Sequence, residues 1–351
     1  MTATRHSGAG PDGYLADQMR YFIFWIAWLI PGLLPAQDLH FSQFNRNPSQ
    51  LNPALVGAFR GDVRASTMLR SQWSAVPVPY LTTTLLGDAK IKDFGDGVLG
   101  GGVQIDYDRA GDGHLSWLRL GASVGYTRQL SDALFLSAGG QLLFLQRSVD
   151  ASRLTFAEQF NGDVFDPTRP GELAGKLSAA AVSGSAGLNL HVQRSGTRTK
   201  FDFGAAAFHL NTPTTSFPFE GPASADWPLR LNGYGLVVYQ LTDRLDFVGQ
   251  ALYQRQRSYQ EALASGGVRY HLRTDPDQEL SLQLTIGHRI RDAVIPAVEL
   301  RHRMFTGGVS YDINVSGFDR ATGGRGGPEL FFLYILTRVK PPTGLKTCPI
   351  F

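Results

Sequence analysis

Apolar and polar residues alternate with a period of two over most of the chain. In residues 278–288, leucine or isoleucine at each even position from 280 to 286 alternates with serine, glutamine, threonine or glycine. Residues 115–130 and 245–254 show the same alternation. A period of two indicates β-strands with one apolar and one polar face. The apolar face is buried in a soluble β-sandwich, whereas in a membrane barrel it meets lipid and the polar face lines the lumen.

Strand length favours the membrane barrel. Residues 115–130 and 177–193 greatly exceed the roughly 5–6 residues usual in soluble proteins, whereas a strand tilted across a bilayer needs about 9–11. Aromatic residues near strand ends are expected to form the interfacial girdles. These residues are Trp117, Tyr126, Tyr239, Tyr253, Tyr270 and Tyr311. We therefore predict an all-β fold, a transmembrane antiparallel β-barrel of about 14 strands, an even number as in bacterial barrels.

Turn residues divide the alternating region, residues 61–339, into these strands. The predicted strands cover 61–72, 79–91, 97–109, 114–130, 133–147, 175–193, 199–210, 229–241, 244–257, 260–272, 278–290, 292–303, 304–315 and 327–339. Short polar turns at 130–132, 242–244, 274–277 and 290–292 are predicted to face the periplasm. The longer connections at 148–174, 211–228 and 316–326 are predicted to be extracellular.

One long apolar block, residues 21–37, lies near the N-terminus and follows Met19 and Arg20. A basic start, an apolar stretch and small residues before Gln37 are the features of a secretory signal peptide. A transmembrane helix is the alternative, but the block is short of about 20 residues and contains Pro31 and Pro35. Residues 1–36 are thus predicted to be an N-terminal extension and a cleaved signal peptide, with translation starting at Met19. This predicts an outer-membrane location in a Gram-negative cell.

Residues 37–60, which precede the first strand, carry two Asn-Pro pairs and no regular period. They are predicted to plug the lumen, because their apolar residues are too numerous for a solvated tail. The alternative is a disordered periplasmic arm. The candidate plug residues are Phe41, Phe44, Asn47, Pro48, Asn52 and Pro53. Residues 340–351, after the last strand, read as a short periplasmic tail.

Composition and motifs indicate no enzymatic chemistry. The net charge of +3 suggests no nucleic-acid partner, and the single cysteine, Cys348, excludes an internal disulfide. Residues 121–125 match G-x-S-x-G, but they lie in an alternating strand where a nucleophile elbow requires a strand-to-helix turn. The scattered histidines form no compact metal-ligand motif. We predict no catalytic residue, no cofactor and no metal site, so the protein is not expected to be an enzyme.

Several short motifs occur in a fixed order along the mature chain. They are His40-Phe-Ser-Gln43-Phe, Asn47-Pro48, Leu51-Asn52-Pro53-Ala54, Arg70-Ser-Gln72-Trp73, Leu154 to Phe160, Phe165-Asp166-Pro167, Gly171-Glu172, Tyr311 to Ser316, Gly323 to Glu329, and the ending from Lys340 to Phe351. Together they resemble the PorP/SprF family, outer-membrane components of the type IX secretion system of Bacteroidota. The resemblance implies export or cell-surface anchoring of large secreted proteins, including gliding adhesins, through their C-terminal sorting domain.

The same resemblance implies two kinds of partner: the C-terminal domain of a secreted surface protein, and secretion-system components that include periplasmic peptidoglycan-linked lipoproteins. A diffusion porin or a small-molecule transporter of the outer membrane is the alternative function. The extracellular loops at 148–174 and 316–326 are the expected partner contacts. The candidate contact residues are Phe156, Gln159, Phe160, Phe165, Asp166, Phe318, Arg320 and Arg325.

Overall fold

The computed structural model describes most of the chain. The described residues are 38–72, 80–111, 115–160, 162, 164–166, 168–169, 171, 175–215, 217, 225–275, 278–316 and 324–337. The predicted signal peptide, the C-terminal tail and the candidate contacts Phe318 and Arg320 lie outside these ranges.

The described residues form mostly β-strands. The strands are β1 (Val63–Gln72), β2 (Tyr80–Asp93), β3 (Gly97–Ala110), β4 (Leu115–Ser131), β5 (Leu134–Asp150), β6 (Lys176–Gln193), β7 (Lys200–Phe208), β8 (Thr214–Thr215), β9 (Ala225–Asp226), β10 (Arg230–Gln240), β11 (Leu245–Gln256), β12 (Tyr259–Arg273), β13 (Leu280–Arg289), β14 (Ala293–His302), β15 (Phe305–Asn314) and β16 (Arg325–Leu336). Short helical turns occupy Phe44–Arg46, Pro48–Leu51, Pro53–Leu55, Ala151–Arg153 and Ala157–Gln159. Among the described residues, no helix has the length and apolarity needed to span a membrane.

Fourteen of the strands close into one antiparallel barrel. The order around the barrel follows the chain from β1 to β7 and from β10 to β16, and β16 pairs with β1 to close it. This seam runs from Val63 opposite Leu336 to Arg70 opposite Glu329. β8 and β9 pair only with each other, within the connection between β7 and β10. The predicted barrel and its number of strands are confirmed.

The outer face of the barrel is apolar and the inner face is polar. Outward side chains such as Val103 and Ile286 are 65% and 67% exposed, whereas inward Arg119 and Asp246 are 2% and 0% exposed. This arrangement is the inverse of a soluble protein, and it suits a barrel whose exterior meets lipid. The alternation of apolar and polar positions therefore identified the two faces correctly.

Five of the six predicted girdle aromatics point outward, and Trp117 does not. The five are Tyr126, Tyr239, Tyr253, Tyr270 and Tyr311, each at least 36% exposed. Trp117 instead packs on Trp227, with 4.6 Å between the ring centroids, beside Leu143 and Leu145. The physical reason is its position two residues before Arg119, which places it on the same, inward face of β4.

Successive connections alternate between the two ends of the barrel. One end carries the connections after β5, β7 and β15, which are the longest, and we call it the long-loop end. The opposite end, where β1 begins and β16 ends, is called the terminal end. The turn at 290–292 joins β13 to β14 at the long-loop end, so its predicted placement with the short turns 242–244 and 274–277 was wrong. Two consecutive connections of an antiparallel barrel cannot share an end.

Candidate functional site

Residues 38–60 are called the N-terminal segment, and residues 38–57 of it lie against the inward faces of the strands. The helical turns at Pro48 and Pro53 each begin with proline, whose fixed φ and missing N–H suit a first helical position. All six candidate plug residues are buried: Phe41, Phe44, Asn47, Pro48, Asn52 and Pro53. Their burial rests on a long series of contacts, which we follow from the long-loop end to the terminal end.

The segment begins in an ion cluster at the long-loop end. The Asp38 carboxylate pairs with Arg119 and with Arg230 Nη1 at 2.6 Å, and lies 3.1 Å from His209 Nε2. The backbone N–H of Asp38 donates to Gln256 Oε1 at 3.2 Å. Burial raises the pKa of the Asp38 carboxyl, but Arg230, Arg119 and His209 together hold that pKa well below its usual value. A charged Asp38 therefore fixes the start of the segment to β4, β10 and β11.

The next contacts tie the segment to both strands of the closing seam. Glu329 on β16 accepts hydrogen bonds from the backbone N–H groups of Ser42 at 2.8 Å and Gln43 at 2.7 Å. Arg70 on β1 donates to the carbonyl of His40 at 2.5 Å and to Asp312 at 2.8 Å. Ser42 Oγ also donates to Asp312 at 2.6 Å. These bonds supply partners for backbone groups that no helix or sheet satisfies.

The middle of the segment combines an ion pair with a small apolar cluster. Arg46 pairs with Glu299 of β14, and Ser49 Oγ donates to Gln104 of β3. The apolar residues of the segment pack against inward apolar side chains of β10, β11, β12 and β14. This cluster contains Phe44, Leu51, Leu55, Tyr234, Leu252, Leu263, Ala293 and Ile295.

Beyond residue 51, the segment rests on a row of four inward-facing glycines. Gly100, Gly125, Gly139 and Gly187 lie directly opposite one another on β3, β4, β5 and β6. A Cβ built on Gly139 would lie 2.5 Å from the carbonyl oxygen of Pro53, and one on Gly125 would lie 2.6 Å from that of Val56. Real Cβ atoms essentially never come within 3.0 Å of such atoms. The row therefore leaves room for the segment, whose backbone lies on Gly100, Gly125 and Gly139 and whose Asn52 side chain lies on Gly187.

Asn52 is held at the end of this row by all its polar atoms. Its Nδ2 donates to the carbonyl of Leu188 at 2.7 Å and to the Tyr234 hydroxyl at 3.2 Å, and its Oδ1 accepts from the N–H of Ala54 at 2.9 Å. Tyr234 in turn donates to Asn189 Oδ1 at 2.8 Å. The side chain is fully buried, and these bonds satisfy it.

The segment leaves the glycine row at the terminal end. Gly57 N–H donates to Asp88 Oδ2 at 2.9 Å, and Arg64 Nη2 donates to the carbonyl of Leu55 at 3.0 Å. Arg64 also binds Asp88 through two hydrogen bonds of 2.7 and 2.8 Å. Residues 38–57 thus follow the lumen from the long-loop end to the point where β1 begins.

The predicted partner contacts in the loop after β5 divide into structural and exposed residues. Phe156 packs over Gly171, and Gln159 accepts from the Phe156 N–H at 2.9 Å. Phe160 and Phe165 pair across the loop with ring centroids 5.5 Å apart, and they are 56% and 37% exposed. The structure thus brings together two aromatic side chains that face solvent.

The two remaining described candidates differ in setting. Asp166 accepts hydrogen bonds from the N–H of Thr168 at 2.9 Å and from its hydroxyl at 2.6 Å, and these bonds lower its pKa. It therefore shapes the loop. Arg325 is the exposed first residue of β16, and it is far from the loop after β5 in the sequence.

The sequence did not predict that side chains of the connection between β7 and β10 pack in the interior of the barrel. Trp227 of this connection packs on Trp117 and lies 5.3 Å from the His209 ring, and its Nε1 donates to Thr215. Phe217 stacks on Arg147 of β5 at 4.9 Å. A tryptophan in a predicted loop was the available signal, since an exposed loop seldom needs so large an apolar ring.

A closed antiparallel barrel with a lipid-compatible exterior and a polar interior defines a transmembrane β-barrel protein. The family model for the type IX secretion system membrane protein PorP/SprF matches residues 34–325, and the chain belongs to this family. An outer-membrane location and a role in type IX secretion follow from this membership. No curated protein matches the chain.

Solved structures resemble the barrel only distantly. The Ralstonia pickettii toluene transporter TbuX is 12% identical, with 83% of this chain and 93% of that chain covered and a TM-score of 0.48. A Pseudomonas aeruginosa FadL homologue is also 12% identical, with 87% and 95% covered and a TM-score of 0.46. The translocator domain of the autotransporter NalP from Neisseria meningitidis is 8% identical, with 79% and 89% covered and a TM-score of 0.41. At these scores the likeness supports no argument about function.

Proposed function

We propose that this barrel assists the export or surface anchoring of large secreted proteins, gliding adhesins among them, by holding their C-terminal sorting domain at its long-loop end. The family supports a place in type IX secretion. The long connections gathered at one end supply a surface for a folded partner. Within it, the exposed pair Phe160 and Phe165 offers aromatic anchors of the kind that dominate protein interfaces.

The observation that carries this proposal over a diffusion porin is the N-terminal segment. A porin needs a continuous polar path, whereas residues 38–57 contact the inward faces of strands on every side of the barrel. Asp38, Arg46 and Asn52 each form buried polar contacts that would have to break to open the lumen. The segment is accordingly assigned the role of a plug, which seals the barrel while the loops hold the secreted protein.

The remaining assignments rest on the sequence pattern and on the family. Residues 1–36 are assigned as the extension and signal peptide, removed during export in a Gram-negative host of the Bacteroidota. The terminal end would then face the periplasm, where the short turns of bacterial barrels lie. Periplasmic secretion components, including peptidoglycan-linked lipoproteins, are the partners assigned to that end.

The experiment compares co-purification of the secreted protein with three tagged barrels in mild detergent. The variant Phe160→Ser with Phe165→Ser removes the aromatic pair, and Leu210→Ser, 53% exposed at the same end, is the matched control. We expect at least about a tenfold loss of bound secreted protein in the double variant, because aromatic anchors contribute about 1.4 kcal/mol or more. The control should bind like the wild type.

Two outcomes would refute the proposal. A double variant that folds and retains its partner would show that the loop after β5 is not the contact. A wild-type barrel that passes ions steadily in a planar bilayer would show an open lumen and would favour the porin. Heat-modified electrophoretic migration would establish barrel folding in each variant.

A further inference from the structure

The glycine row has the properties of a recognition site. Its four members lie on four adjacent strands in direct register, so they form a flat strip of exposed backbone on the inner wall. Because glycine has no side chain, another polypeptide backbone can lie directly against this strip. Inward positions elsewhere on the same strands carry large side chains, such as Arg119 on β4 and Leu143 on β5.

Specific contacts flank the strip at both ends. At one end, the carbonyl of Leu188 and the hydroxyl of Tyr234 receive the amide of Asn52. At the other, Asp88 accepts from the N–H of Gly57, whose φ of 76° and close approach to Gly100 both require glycine. Together, the strip and its flanking contacts recognise an asparagine, a stretch of backbone and a glycine five residues after the asparagine.

We propose that the inner faces of β3–β6 form a binding site for a polypeptide segment of this pattern, and that residues 46–58 are its built-in ligand. The segment is then an exchangeable ligand that the same sequence supplied as a separate peptide can replace. The inference rests on the proposed plug, and it adds the location of the site and the chemistry that it recognises. Of the polar contacts of residues 38–43, only that of Asp38 with Arg119 lies on one of these strands, near the long-loop end of β4, and none of them forms part of the site.

The first test damages the site on one strand. In Gly139→Ala the new Cβ would lie 2.5 Å from the Pro53 oxygen and 2.6 Å from the Ala54 nitrogen. In Gly140→Ala, the adjacent residue on the opposite face, the nearest atom is the Ser185 oxygen at 3.6 Å. We expect Gly139→Ala to lower the amide-exchange protection of residues 52–57 by about 10- to 100-fold. Gly140→Ala should leave it unchanged, and equal protection in both variants would overturn the proposal.

The second test separates ligand from site in the full-length barrel. Asn52→Ala damages the ligand and leaves the strip intact, whereas Asn52→Ala with Gly139→Ala damages both. A synthetic peptide with the sequence of residues 46–58 is expected to bind the single variant and not the double variant, as measured by fluorescence anisotropy. Absence of binding to the single variant, or equal binding to both, would refute an exchangeable ligand.

Ion conductance distinguishes this inference from the proposed function. If Gly139→Ala loses protection of residues 52–57 and stays closed to ions, the site stands and the sealing role of these residues fails. If Gly139→Ala loses protection of residues 52–57 and also passes ions, both the binding site and the sealing role stand. Unchanged protection refutes the site, whatever the conductance.

Discussion

The two halves of the N-terminal segment are held in the lumen by different kinds of interaction. Residues 38–46, the mouth half, are fixed by charges, with Asp38 between two arginines and Arg46 on Glu299. Residues 47–57, the seat half, are fixed mainly by close contact with the glycine row and by neutral hydrogen bonds around Asn52, and the charged side chains of Asp88 and Arg64 hold its last residues. A buried charge is strongly destabilising once it loses its partner, whereas a neutral amide bond contributes about 1 kcal/mol. The mouth half should therefore respond more strongly than the seat half to single charges and to pH.

The largest expected effect is that of Asp38→Ala. The substitution leaves Arg119 and Arg230 buried without this carboxylate, and breaking such a pair costs about 3–5 kcal/mol. Amide-exchange protection of residues 38–46 should fall steeply, while that of residues 52–57 should persist. Asp150→Ala is the control, since Asp150 lies at the same end and bonds to neighbouring Ser152 and Arg153. Equal loss in both halves would show that the segment docks as one cooperative unit.

A smaller effect is expected from acidification, through His40. Burial, Arg70 and Arg289 hold the pKa of the His40 imidazole well below its usual value, so the docked ring is neutral. The docked state of residues 38–46 has its full stability above the pKa of His40 in the undocked segment, about 6.5. As the pH falls below this value, docking loses up to about 1.4 kcal/mol per pH unit. Protection of residues 38–46, corrected for intrinsic exchange, should thus decrease between pH 7.5 and 5.5.

His40→Gln is the control for this pH dependence. The carbonyl of residue 40 still accepts from Arg70 in that variant, so only the titrating ring is removed. The slope should disappear. A slope that persists in His40→Gln would assign the effect to another group.

The smallest effect is expected from Tyr234→Phe. The variant removes the hydroxyl that accepts from Asn52 and donates to Asn189, which costs about 1 kcal/mol. Protection of residues 52–57 should fall about fivefold, and that of residues 38–46 should stay constant. Tyr239→Phe, on the same strand but 49% exposed on the outer face, should change neither. Loss of protection in the mouth half would contradict the separation of the two halves.

The strands were predictable because each one carries its own signal, the alternation of an apolar and a polar face. The same parity placed Trp117 on the inner face with Arg119, although its type suggested the lipid interface. Phe41 and Asn52 are buried, and the sequence hinted at this because their apolar neighbours and Asn-Pro pairs are unusual for a solvated arm; the plug itself stays a prediction. The position of a residue in the alternation along its strand was thus a better guide to its face of the barrel than its residue type.

The glycine row was not predictable, because no single strand encodes it. Gly100, Gly125, Gly139 and Gly187 look alike among the many glycines of the chain, and only the register between strands aligns them. The partners of Asp38 were hidden for the same reason, since Arg119 and Arg230 come from distant strands. Contacts set by closure of the barrel leave no local trace in the sequence.

The bonds to Glu329 link the earliest described residues to the last strand. Ser42 is 287 residues from Glu329, and Arg70, across the seam, holds the carbonyl of His40. Contacts so distant in sequence form late in folding, because the cost of closing the loop precedes any gain. We therefore expect the mouth half to lock last, once β16 has met β1. Protease resistance of residues 38–46 would then report, molecule by molecule, that assembly of the barrel is complete.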